Sequence, residues 1–366
     1  MTRNTSLLFK PFVSEKLQLK NRLLMAPMTR SQSPGGIPGQ NVVDYYRRRA
    51  EGEIGLIITE GTTINHPLAS GDKNVPCFHG EALSGWQNVV SEVHAAGGKI
   101  APQLWHLGAM RKAEDSPHPD LVSMGPGDIS PMGEESIRPM SMEDIEQVIA
   151  AYAQGAADAR RLGFDALEIH GAHGYLLDQF FWKKVNQRSD RFGGSVSKRA
   201  QFAVEVVQAI RAEVGEDFPI IMRFSQFKIG NYDARIAESP QELEQLLMPL
   251  VDAGVDIFHA SQRRFWEAEF PGSDLNLAGW SKKITGKPGI TVGSVGLDID
   301  FISSFAGEDA QGGGLDELLE RLEHDEFDLV AVGRALISDP AWAKKIHAGQ
   351  VAEVTTFKRE DLASLN

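Results

Sequence analysis

Two histidines and a tyrosine crowd together in the stretch EIHGAHGYLLDQF, Glu168–Phe180. His170, His173 and Tyr175 follow directly on the apolar run FDALEIH and alternate with Gly171, Ala172 and Gly174. A core strand has no use for three polar rings, and a helix interior would lose about 1 kcal/mol at each glycine relative to alanine. The chemistry these types offer is hydrogen-bond donation to a substrate oxygen by imidazole and proton transfer by a phenol. Small residues between them let the turn that carries them fold tightly.

A second set of residues suits a phosphate. TVGSVG (291–296) supplies Gly293 for close backbone approach and Ser294 as a hydroxyl donor. AVGRALI (331–337) supplies Gly333 and then Arg334, whose guanidinium fork matches phosphate oxygens. Further hydrogen-bonding residues stand at or just past the ends of other short apolar runs. They are Thr29 and Arg30, Glu60 and Gly61, Gln103 and His106, Arg223, and His259.

The elements that must position these groups follow from those runs. Eight of them, at 22–28, 54–60, 99–105, 164–170, 218–224, 255–260, 289–293 and 327–333, have the length and Ile/Val/Leu/Phe content of buried strands. Helical patterns lie between them, one opening on Ser141 and another on Ser239 with Pro240 at its first position. This βα alternation predicts a parallel sheet, and eight units predict a closed (β/α)8 TIM barrel with loop insertions, one domain over 1–366. Such a barrel carries its chemistry at the carboxyl ends of its strands, where nearly every run here ends in a polar residue or a glycine, and places phosphate after strands seven and eight. The third run is the weakest, because Pro102 interrupts it. Residues 107–141 and 261–280 are too long for plain connections and read as lids or binding loops.

Composition narrows the function. With 42% hydrophobic and 24% charged residues, the 366-residue chain is an ordinary globular sequence. Its formal net charge of −13 argues against nucleic acid or an anionic membrane as partner. The single cysteine, Cys77, allows no intrachain disulfide or cysteine cluster. The N-terminal apolar run is too short for a signal peptide, and no window is long and apolar enough to span a bilayer. A cytoplasmic protein with a small-molecule partner, monomeric or homo-oligomeric, is the expectation. No run ends in a lysine fit for a Schiff base, no cluster of His and Asp ligands at several strand ends completes a metal site with His170 and His173, and no G-x-G-x-x-G occurs.

Six blocks in order carry a family resemblance: APMTR (26–30), ITEGT (58–62), PQLWHLG (102–108), EIHGAHGYLLDQF (168–180), NQRSDRFGGS (186–195) and VGRALISDP (332–340). From about Phe9 to about Gly349 the chain resembles the old yellow enzyme family of FMN-dependent ene-reductases, each a single (β/α)8 barrel. The resemblance implies an FMN-dependent NAD(P)H oxidoreductase that reduces activated alkenes by ping-pong hydride transfer, with NADPH or NADH as reductant. It implies that Pro27, Met28 and Gly61 line the flavin and that Thr29 bonds its carbonyl near N5. Gln103 would bind the pyrimidine edge, Arg223 would lie by N1 and the C2 carbonyl, and Gly293, Ser294, Gly333 and Arg334 would cradle the phosphate. His170 and His173 would grip the substrate oxygen and Tyr175 would protonate the alkene. The plainer alternative for Arg223 is an interior ion pair, and for Thr29 and Gln103 ordinary polar satisfaction. Trp105 and His106 stand either in the pocket wall or in packing. The sequence SQRRFWEAEFPGSDLNLAGW departs from the family pattern, leaving His259, Arg263 and Arg264 as contacts to flavin, nicotinamide or substrate, or as ion-pair partners of Glu267 and Glu269. An FMN barrel using another electron acceptor for dehydrogenation or demethylation, or a non-catalytic flavin-binding sensor, would show the same blocks.

Overall fold

The computed structural model describes residues 4–131, 133, 137–300, 303 and 310–366. Eight parallel strands close into a barrel. They are β1 (Leu23–Met25), β2 (Leu56–Thr63), β3 (Lys99–Trp105), β4 (Leu167–His173), β5 (Ile220–Lys228), β6 (Ile257–Ser261), β7 (Gly289–Val292) and β8 (Leu329–Val332). Each pairs with its neighbours in sequence, and β8 returns to β1. All eight expected runs are therefore strands.

Strand alternation sorts the side chains. Leu24, Leu56, Ile58, Ala101, Ala166, Ile221, Ile257, Ile290, Leu329 and Ala331 form one buried cluster inside the barrel, to which the hairpin Phe12–Val13 with Gln18–Leu19 adds Phe12, Leu17 and Leu19. The opposite faces meet the helices α1 (Gln40–Glu51), α2 (Ala82–Ala95), α3 (Met142–Arg161), α4 (Val196–Val214), α5 (Pro240–Ala253), α6 (Leu277–Thr285) and α7 (Asp316–Glu323). Each fully buried Leu, Val or Phe in these layers contributes about 1.5–3 kcal/mol relative to exposure.

Local signals read in the sequence act as expected. Ser141 accepts from Asp144 N–H, and the Asp144 carboxylate accepts from Ser141 N–H in return. Ser239 caps α5, with Pro240 at its first position. Pro102 lies where the β2–β3 pairing slips register, between the Ile58–Ala101 and Gly61–Gln103 partners, so its missing N–H falls at an irregularity in the ladder.

Both long connections include packed segments among their described residues. In 107–141, Ser123–Gly125 pairs in parallel with Ile137–Pro139. In 261–280, Phe265 and Phe270 are buried in the outer core, and the segment ends by entering α6.

Candidate active site

The carboxyl ends of the strands surround a cavity of about 360 Å³. It brings together His170, His173, Tyr175, Pro27, Met28, Thr29, Gln103, Arg223, Gly293, Ser294, Gly333 and Arg334. Gly61 is the one expected site residue that does not line it. A Cβ at Gly61 would lie 2.5 Å from the Trp105 indole, so this glycine makes room for a side chain that does line the cavity. Trp105 is thus a wall residue, whereas His106 is fully buried and bonded to His66 and to Gly108 N–H.

A bulge brings the two histidines together. In a regular strand, residues three apart point to opposite faces. The β4–β5 register shifts between Gly171 and His173, and His173 adopts φ +66° while its N–H bonds Ser225 Oγ at 2.9 Å. Ala172 of β4 thus faces Ser225, Gln226 and Phe227 of β5, and the left-handed backbone at His173 sets its ring beside that of His170, with centroids 5.3 Å apart. Tyr175 then packs edge-on against both His170 and Trp105, at 5.0 and 4.8 Å. Its turn is anchored from beneath by Asp178, which accepts from Gly174 N–H at 2.6 Å and pairs with Lys228 at 2.9 Å.

The protonation states are set by burial. Desolvation, then the nearby Arg223 charge, holds both His170 and His173 well below the usual histidine range, so both are neutral imidazoles. Ala172 N–H donates to His170 Nδ1 at 3.4 Å, which leaves the proton of His170 on Nε2. His173 Nε2 lies 2.8 Å from Ser261 Oγ, a residue the sequence did not single out. Burial pushes the Tyr175 phenol up to about 12, so it keeps its proton and can donate it.

On the opposite side, Gly293 (φ +152°) and Ser294 (φ +56°) form a left-handed turn in which a Cβ on Gly293 would lie 2.6 Å from the Gln262 carbonyl. Ser294 Oγ donates locally, 2.9 Å from the Ile299 carbonyl, so its hydroxyl is engaged there rather than free as a donor. Arg334 is held by the carbonyls of Ile299 and Asp300 at 2.6 and 3.0 Å. Arg263 also lines the cavity and pairs with Asp300 at 2.9 Å, while Arg264 pairs with Glu267 and Asp300. Glu269 faces Arg235 instead.

The described cavity wall carries three guanidinium groups, from Arg223, Arg263 and Arg334, and no carboxylate, against the sign of the whole chain. Phe227, Ile229, Ile337 and Leu362 complete its apolar part. Leu362 comes from a segment that carries no signal in the sequence; Arg30 fixes it by donating to the carbonyls of Asp361, Leu362 and Ser364.

Residues 7–310 match the NADH:flavin oxidoreductase / NADH oxidase family. The chain belongs to the old yellow enzyme family. It is 31% identical to 12-oxophytodienoate reductase 7 of Oryza sativa subsp. japonica, over 91% of this chain and 86% of that protein. It is 32% identical to an NADH oxidase of Thermoanaerobacter brockii over 92% of this chain, which spans only 50% of that longer relative. Among solved structures, morphinone reductase in complex with tetrahydroNAD superposes with a TM-score of 0.80 at 28% identity, covering 97% of this chain and 93% of the other. Old Yellow Enzyme from Pichia sp. AKU4542 gives 0.80 at 25% identity, covering 97% and 90%.

The cavity fits the FMN that the family carries. Arg223 Nε and Trp105 Nε1 are buried without a hydrogen-bond partner, which costs free energy unless a ligand supplies acceptors. The excess of guanidinium groups suits an anionic ligand. If Gly293 admits the phosphate, Gly293→Ala should weaken FMN binding at least tenfold, because the new methyl collides with the Gln262 carbonyl. Fluorescence titration of apoprotein with FMN measures this, and unchanged affinity would remove the 293–294 turn from the binding site.

Proposed function

We propose that the protein is an FMN-dependent NAD(P)H oxidoreductase that reduces activated alkenes, α,β-unsaturated carbonyl or nitro compounds, by ping-pong hydride transfer. The observation that carries this reading is the register break between β4 and β5 at Gly171–His173, where two neutral imidazoles and a protonated phenol meet in one cavity lined by Arg223. Gln103 and Arg223 would hold the flavin ring, Thr29, Pro27 and Met28 its flank, and Gly293, Ser294, Gly333 and Arg334 its phosphate. Bound FMN supplies a carrier that takes hydride from a reduced nicotinamide and returns it to an acceptor.

The chain's own residues do the rest. His170 Nε2–H and the His173 ring donate hydrogen bonds to the carbonyl or nitro oxygen, drawing electrons from the β-carbon and stabilising the negative charge that builds on that oxygen. Being neutral, they do so without protonating it. Tyr175 gives its proton to the α-carbon. Trp105, Phe227, Ile229 and Leu362 give the alkene an apolar enclosure that limits water.

Tyr175→Phe tests the division of labour. Turnover of an alkene should slow about 10²-fold or more, with flavin reduction by nicotinamide changed less than threefold, as read by anaerobic stopped-flow absorbance. Equal losses in both half-reactions would remove the proton-donor role. The pH dependence has a clear sign as well. Both histidines are already neutral at pH 6 and Tyr175 is still protonated at pH 8. Alkene reduction at saturating cyclohexenone should therefore be flat across that range, and a limb near pH 6.5 would show that an imidazolium is required.

A further inference from the structure

Beneath the cavity the barrel interior departs from its aliphatic pattern. Glu168, on β4 between Ala166 and His170, is fully buried. Gln103 Nε2 donates to its Oε1 at 2.7 Å, and His259 Nδ1 lies 2.6 Å from its Oε2. Arg223 is the register partner of both His170 on β4 and His259 on β6. Interior layers of these barrels are normally filled by Val, Ile and Leu. A buried carboxylate there costs several kcal/mol in desolvation unless well paired, and swapping such a network for apolar residues of equal volume is often neutral or stabilising. Stability alone gives no reason to keep the charge.

We infer that Glu168 is a positioning residue that orients Gln103 and sets the charge balance at Arg223, holding the reduction potential of bound FMN below the value Arg223 alone would give. This rests on the reading that Gln103 and Arg223 face the pyrimidine end of the flavin. The amide nitrogen of Gln103 is committed to Glu168, so its carbonyl oxygen is the group left to face the cavity, an acceptor for an imide N–H. The charge follows the same geometry. Burial lowers the affinity of His259 for a second proton, so it is a neutral donor, and the negative charge of Glu168 is answered by Arg223. Negative charge collects at the N1 and C2-carbonyl end of flavin on reduction; Arg223 favours it and Glu168 opposes it.

The test is the midpoint potential of the FMN holoenzyme, taken by anaerobic dye-coupled titration. Glu168→Gln keeps the shape and removes the charge. FMN should stay bound, and binding of reduced over oxidised FMN should gain tenfold or more, a rise of about 30 mV for a two-electron couple. Glu168→Asp keeps the charge and should shift that ratio less than threefold. FMN bound normally with the potential of Glu168→Gln unmoved or lowered overturns the inference. If Glu168→Gln does not fold, Glu168→Asp decides: a tenfold or larger shift there overturns it, and a shift below threefold supports it. Wild-type protein that takes up no FMN overturns instead the site reading on which the inference stands.

Discussion

Alanine at both 170 and 173 should leave FMN bound while phenol affinity falls about 100-fold and alkene reduction about 10³-fold or more. Two hydrogen bonds to a phenolic oxygen, each about 1–1.5 kcal/mol, account for the binding loss. The larger loss in rate arises because such donors act most strongly on the charge of the transition state, where removing one costs about 10²–10³-fold. The cofactor should survive because neither histidine belongs to the set facing Gln103 and Arg223. His173 also holds a left-handed backbone, which alanine tolerates less well, so about 1 kcal/mol of stability should be lost with it. Difference-absorbance titration with a phenol and anaerobic turnover of cyclohexenone read the two effects. Loss of FMN from the double variant would show that the histidines belong to the cofactor site.

Lys228→Met should destabilise the protein by about 3–5 kcal/mol, the usual cost of stranding one member of a buried pair. Asp178 is fully buried and Lys228 nearly so; the ammonium also donates to the Gln226 carbonyl at 2.7 Å. Burial already pushes the Asp178 carboxyl up to about 6 with its partner in place. Without Lys228 it would take a proton, and its bond from Gly174 N–H would weaken just ahead of Tyr175. Chemical denaturation should show the stability loss, and alkene reduction should suffer more than flavin reduction by nicotinamide. Adding Asp178→Asn to Lys228→Met should restore part of the stability. A loss below 1 kcal/mol in Lys228→Met would mean that the pair does not anchor the turn.

The barrel was legible because parallel strands buried on both faces read as apolar runs. The polar residues at their carboxyl ends were legible too, since alternation alone places Gln103, Arg223 and His170 at the mouth. The bulge at Gly171–His173 was not. Nothing in GAHG states that the register slips there; the slip depends on Ser225 accepting the His173 N–H from the next strand. Glu168 stood in the same stretch and passed unnoticed, because a carboxylate one turn of the pleat below the mouth looks like any strand charge until Gln103 and His259 close on it. Gly61 does not line the cavity, and the room its missing side chain leaves for the Trp105 indole is visible only in the folded chain. The aromatic segment 261–280 gave most of its rings to the outer core, and only Ser261, Gln262 and Arg263 reach the cavity. Leu362 arrived through Arg30, whose backbone partners lie more than three hundred residues along the chain.

In the proposed reaction this cavity passes electrons from a nicotinamide to an alkene. The most direct measurement is anaerobic absorbance of the purified yellow holoenzyme near 460 nm, a wavelength of roughly that value being set by flavin itself. NADPH or NADH should bleach the band, and cyclohexenone added afterwards should restore it. A band that neither nicotinamide bleaches, or one bleached and then unmoved by a panel of activated alkenes, would contradict the account.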